Sequence, residues 1–194
     1  MGKGLGSLAA FAISFSLTFN RLPEAYEKIV AWLAPVLGKI LRVTFSSLYL
    51  LFGDPLTDYY LLITWVVAGF IAGLLAKKLG SGIIAAASAY LYNFPLLGFC
   101  AFKLFESFGT MGGFETLPPF PPGTSIADLL TAPLIGEIIS ALMSGMISGG
   151  SLDFNAIISL VTSIILPKLV KNLILVAIFG AIGGYIRSKF TSEK

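Results

Sequence analysis

Tyr59-Tyr60-Leu61-Leu62-Ile63-Thr64-Trp65-Val66-Val67-Ala68-Gly69-Phe70-Ile71-Ala72-Gly73-Leu74-Leu75-Ala76, closed by Lys77-Lys78, is the stretch that decides the fold. It contains no charged residue before the two lysines. A helix rising 1.5 Å per residue needs about 20 such residues to cross a bilayer core, and this one comes close. Paired tyrosines suit one membrane interface and paired lysines the other. The stretch therefore reads as a transmembrane helix.

The rest of the chain fits that reading. Of 194 residues, 56% are hydrophobic and 12% charged, and mean hydropathy is +0.90. A soluble domain carries about 25% charged residues and leaves roughly a third of its chain surface in water. The surplus of apolar surface must face lipid, so a multi-pass protein in a lipid bilayer is expected. The net charge of +3 is ordinary, and the thirteen Lys and Arg form no basic run interleaved with aromatics, so no nucleic-acid partner is expected. The absence of histidine removes imidazole-held haem and a Ser-His-Asp triad, while the single Cys100 removes an internal disulfide and a CxxC pair. No metal and no cofactor are expected.

Further apolar segments flank the first. Leu5–Phe19 is marginal in length and reads as a retained membrane segment rather than a signal peptide. Pro23–Phe52 is interrupted by Lys28, Lys39 and Arg42, bent by Pro35 and amphipathic in its first half. Leu79–Phe102 contains Asn93-Phe94-Pro95, and Ser125–Ser148 contains Pro133 and Glu137. Phe154–Leu166 is too short to cross, and Val170–Ile186 closes the series. The Pro- and Gly-rich stretch 106–124 cannot be helical through its Leu-Pro-Pro-Phe-Pro-Pro core and reads as an external loop. The expected fold class is all-α: one transmembrane domain over residues 1–194, a bundle of about five to seven short, Pro-broken transmembrane or re-entrant segments.

Orientation follows Lys and Arg placement. Lys77, Lys78, Arg187, Lys189 and Lys194 put the 187–194 tail in the cytoplasm, with Arg21 and Lys28 on the same side. Asp54 and Asp58 mark the external side, so the protein is expected in the cell membrane with a cytoplasmic C-terminus.

Weak self-matches suggest an internal 3+3 repeat. Leu5-Gly6-Ser7 returns as Leu79-Gly80-Ser81, Ala34-Pro35 through Ile40 as Ala132-Pro133 through Ile138, and Gly69–Gly73 as Gly180–Gly184. Three crossings per unit would invert the second unit, as in many transporters. Both units end in cations, which opposes inversion.

Candidate functional residues are few. Gly69/Gly73 and Gly180/Gly184 are GxxxG pairs, each on one helix face, where small residues let backbones approach; Gly145/Gly149 reads alike. Gly53, beside Asp54-Pro55, reads as a plain turn residue. Glu137, placed mid-segment, must be protonated, paired or wet, because an ionised carboxylate in the bilayer core costs at least ~2.5–3.5 kcal/mol. Its repeat counterpart Lys39 is the natural partner. Asn93 either donates to a carbonyl freed by Pro95 or lines a polar pathway. Lys168 and Lys171 read as snorkelling to headgroups, and Trp32, Tyr49, Tyr59, Tyr60 and Trp65 as interfacial anchors.

The leading functional expectation is a small channel or transporter for an ion or small solute, with Glu137, Lys39, Arg42 and Asn93 as the polar lining. The alternative is a non-catalytic accessory subunit that packs on other membrane subunits or self-associates through Gly-rich faces. No enzyme is expected, because the acids are scattered and form no DxxD cluster.

Overall fold

A computed structural model describes residues 2–110, 118–119, 125, 131–132, 135–137 and 161–192. The described residues are almost wholly helical and contain no strand. In chain order the helices are α1 (Gly2–Asn20), α2 (Glu24–Leu37), α3 (Ile40–Phe52), α4 (Tyr59–Ala76), α5 (Leu79–Leu91), α6 (Asn93–Thr110) and α7 (Leu166–Ser192). A π-helical turn, Val161–Ile165, leads into α7.

Local chemistry sets most boundaries. Asp58 caps α4: its Oδ1 accepts the backbone N–H groups of Tyr60 at 2.9 Å and Leu61 at 3.4 Å. Lys77 ends α4 in the left-handed region, φ 64°, and the chain turns directly into α5. Gly38, at φ 70°, separates α2 from α3 in a conformation that glycine adopts without a Cβ penalty. The amphipathic segment 23–52 is thus two helices. Between α1 and α2 the axis bends by 78°. Around Tyr92 the backbone keeps helical dihedrals, so α5 and α6 form one apolar rod over Leu79–Ser107, with Pro95 in the first turn of α6. Helix α6 runs to Thr110, so residues 106–110 of the expected loop are helical.

Among the described residues, three helices are long and apolar enough to cross a membrane: Tyr59–Ala76, Leu79–Ser107 and Thr162–Thr191. The bent pair Lys3–Asn20 and Glu24–Leu37 raises the number to four if it acts as one span. Most of the segments expected at Ser125–Ser148 and Phe154–Leu166, Gly145/Gly149 included, lie outside the described residues.

Helix α4 is the centre of the bundle and packs on α1, α5 and α7. Its Leu61, Trp65, Ala68 and Ala72 are fully buried. Trp65 is therefore a core residue and not an interfacial anchor, and so is Tyr49; Tyr59 remains exposed. Helix α1 runs antiparallel to α4. A Cβ on Gly6 would lie 2.7 Å from the Ala72 carbonyl oxygen, and at the far end Tyr60 donates its hydroxyl to Leu17 O at 2.7 Å. Helix α7 runs parallel to α4, since Gly69 faces Val176 and Gly73 faces Gly180 and Gly184. An inverted repeat would set these two helices antiparallel, and they are not.

The same contacts sort the charges. Gly184 lies against Lys78, which gathers Lys77, Lys78 and the Arg187–Lys189 end of α7 at one end of the bundle. Asp54 and Asp58 lie at the other. Arg21, expected beside the lysines, belongs to the Asp58 end, because α1 reaches Tyr60 there.

Candidate functional site

At the Asp58 end the turn between α3 and α4, the end of α1 and the start of α7 enclose an open polar recess of about 610 Å³. Its walls include Arg21, Tyr49, Asp54, Asp58, Glu137 and Lys168. Glu137 accepts from Lys168 Nζ at 2.5 Å, and their side chains are 45% and 12% exposed. Beside them Lys171 Nζ donates to Asp54 Oδ2 at 2.8 Å. The partner of Glu137 is therefore Lys168, not Lys39. Lys39 is exposed at the start of α3, on the helix that follows the Gly38 break. Helix α7 begins Leu166-Pro167-Lys168 beside this recess, and there the Lys168 ammonium reaches the Glu137 carboxylate.

The charges of the recess are largely committed. Asp58 uses Oδ1 on the α4 N-terminus and Oδ2 on the Tyr49 hydroxyl, 2.5 Å away. Burial raises the Asp54 carboxyl, but the Lys171 ammonium and the Leu56 N–H outweigh it and hold Asp54 below the usual carboxylate value of 3.8. Arg21 is the exception: its guanidinium stacks 5.0 Å above the Tyr60 ring and forms no ion pair among the described residues.

Arg42, expected in the polar lining, is instead a strut. Its Nε donates to Phe19 O at 2.7 Å, and its two terminal nitrogens take both oxygens of Glu27 at 3.0 and 2.5 Å. This bidentate pair ties the end of α1, the first turns of α2 and the start of α3 together.

Beneath the recess lies a buried polar layer. Gly53 lines the recess, and its carbonyl accepts from Asn172 Nδ2 at 2.9 Å. The same amide donates to Leu51 O at 3.2 Å, where the Tyr90 hydroxyl also donates at 3.0 Å. Together they satisfy carbonyls that the α3 C-terminus leaves without intrahelical partners. Asn93 donates to Tyr90 O at 3.1 Å and Ala89 O at 3.4 Å, one turn back, and not to the Leu91 carbonyl that Pro95 frees. Asn93 and Asn172 are both fully buried. Asn172 and Tyr90 carry no sequence signal, and Lys168 reads in sequence only as a snorkelling lysine, because only tertiary packing brings them to the end of α3.

The four glycines singled out in sequence meet inside one chain. A Cβ on Gly73 would lie 2.2 Å from Gly180 O and 2.6 Å from Gly184 N, and one on Gly69 2.6 Å from Val176 O. Gly82 of α5 joins the same seam, 2.2 Å from Gly180 O by that measure. These faces are consumed within the bundle and are not open to a second copy.

No protein-family model, curated protein or solved structure matches this chain.

Proposed function

We propose that this chain is an integral protein of the cell membrane that moves an ion or small polar solute through its helical bundle. The observation that carries the reading is the open recess walled by Arg21, Asp54, Asp58, Glu137 and Lys168, whose Gly53 wall is bonded directly to the fully buried Asn172. A charged vestibule above a buried polar layer is what a solute needs to leave water before crossing.

The basic end, with Lys77, Lys78 and the α7 C-terminus, is the cytoplasmic side in this proposal, and the recess faces out. With the α1–α2 pair as one span, the α5–α6 rod ends and α7 begins on the outer side. That makes four crossings among the described residues, against the expected five to seven segments. The inverted 3+3 repeat is not retained, because the helices it would relate run parallel.

One observation is also compatible with the accessory-subunit reading. Val170, Ile174, Ile178 and Ile182 form an exposed apolar stripe on α7, and only 17% of that helix's apolar window is buried against 44% for α4. Lipid or a partner helix would cover it equally well.

Reconstitution separates the two. Liposomes holding the purified chain should pass Na⁺, K⁺, Cl⁻ or urea faster than empty liposomes, and Arg21→Gln should slow that flux. A folded chain that leaves all four at the empty-liposome level and copurifies with other membrane subunits in mild detergent would replace transport by the subunit role.

A further inference from the structure

Charge is balanced at one end of the bundle and not at the other. At and beyond the recess every described acid has a partner. Glu24 pairs with Lys28, Glu27 with Arg42, Glu106 with Lys103, Glu137 with Lys168 and Asp54 with Lys171, while Asp58 caps α4. At the basic end Lys3, Lys77, Lys78 and Arg187 are exposed and form no ion pair among the described residues. No described acid lies near them.

Packing fixes where these cations stand. Gly6 of α1 abuts Ala72 and Leu75, which sets Lys3 one turn further towards the Lys77-Lys78 turn. Gly184 of α7 lies against Lys78 and Leu79, so Arg187 follows within a turn of that contact. From Gly184 the helix continues to Ser192, about 12 Å further along its axis and past the end of α4. Tyr185 and Phe190 are 53% and 66% exposed on this overhang, and with Ile186 and Lys189 they line an open pocket of about 260 Å³. A headgroup layer is roughly 5–8 Å deep on each side of the hydrocarbon core, so a helix leaving the core beside Lys78 traverses all of it.

We infer that the basic end is a binding surface for the phosphates of anionic phospholipids, with Lys77, Lys78 and Arg187 as the contacts and Tyr185 and Phe190 set in the same headgroup layer. Charge complementarity selects the class. Cations gathered without acids attract a negatively charged leaflet, and each Lys or Arg near such a surface adds to the attraction. A guanidinium takes two oxygens of one phosphate, and the ammonium groups act beside it as point charges. A zwitterionic lipid offers the same phosphate but brings an ammonium of its own, which the unbalanced cations repel. Depth selects lipid over an acidic soluble protein. The cations stand where α4 and α5 leave the apolar core, and exposed aromatic rings beside them suit the membrane interface rather than water. The inference goes beyond solute movement: it requires a bundle that spans a membrane, but no flux through it.

Fluorescence quenching by brominated lipids tests it on the full-length chain. In mixed bilayers of phosphatidylglycerol and phosphatidylcholine, a surface tryptophan is quenched by whichever lipid carries bromine on its chains. The unsubstituted chain supplies the background from Trp32 and Trp65. Tyr185→Trp should be half-quenched by brominated phosphatidylglycerol at about a tenfold lower mole fraction than by brominated phosphatidylcholine. Val170→Trp, exposed on α7 towards the recess end, should be quenched by both alike. The preference at Tyr185→Trp should shrink in about 1 M NaCl and vanish in the added triple change Lys77→Gln, Lys78→Gln and Arg187→Gln. Equal quenching at Tyr185→Trp overturns the surface while leaving the bundle in its membrane. A preference that survives the triple change, or one equally strong at Val170→Trp, overturns the assignment to these cations. No quenching at either position overturns the membrane reading and the lipid surface with it.

Discussion

Gly73 of α4 and Gly180 of α7 meet backbone to backbone, so closely that a Cβ on Gly73 would stand 2.2 Å from the Gly180 carbonyl oxygen. Two apolar helices gain nothing from leaving lipid for one another, and close approach of this kind lets dispersion contacts hold them together.

Gly73→Ala is expected to cost about 1–3 kcal/mol of stability, as overpacking does where neither backbone can yield. Gly98→Ala, where an added Cβ meets nothing within 4 Å, should be neutral or slightly stabilising. Gly53→Ala should resemble Gly73→Ala, because its Cβ would lie 2.6 Å from both Leu61 Cδ2 and Tyr49 O, which the sequence reading as a plain turn does not foresee. Thermal unfolding in detergent ranks the three; equal midpoints would refute the seam.

A double-mutant cycle on Glu137→Gln and Lys168→Met should give a coupling of about 1 kcal/mol or less, since Glu137 is nearly half exposed and solvent screens the pair. The same cycle with Lys39→Met should give no coupling. A coupling to Lys39 that exceeds the one to Lys168 would refute the Glu137–Lys168 pairing.

Asp54 supplies a pH dependence of known sign. Its folded pKa is depressed below 3.8, so its contribution is fully present above that value and is lost as pH falls through the folded pKa. Asp54→Asn should therefore be less stable than the parent at neutral pH, with the difference shrinking below pH 3.8. Lys171→Met should remove most of the difference. A gap that widens on acidification contradicts the pairing.

Side of the membrane is tested by single cysteines after Cys100→Ser. An impermeant maleimide on intact cells should label Thr57→Cys, in the exposed turn at the recess, and spare Gly80→Cys at the basic end. The reverse pattern inverts the orientation.

Sequence alone determined that the chain is helical, that α4 runs from Tyr59 to Ala76, and that apolar surface exceeds what one core could hide. Those properties follow from composition, from an uninterrupted apolar run and from terminal charges, all local along the chain. The break of residues 23–52 into two helices was half legible: Pro35 marks a disturbance, but the turn itself falls at Gly38, where a left-handed φ was needed. Of the candidate polar residues, Glu137 and Asn93 lie at or beneath the recess, while Lys39 stands exposed and Arg42 is bound to Glu27 and Phe19. The partner of Glu137 was decided only in three dimensions, because an ion pair depends on which helix ends share a corner of the bundle. The same holds for Asn172, which looks like any polar residue near a lysine until packing brings it to the open carbonyls of α3. Trp65 makes the point most sharply: amphipathic by type, it suits an interface in sequence, yet the α4 face it occupies is covered on all sides and it ends in the core. Periodicity tells which residues share a face; only the tertiary arrangement decides what that face meets.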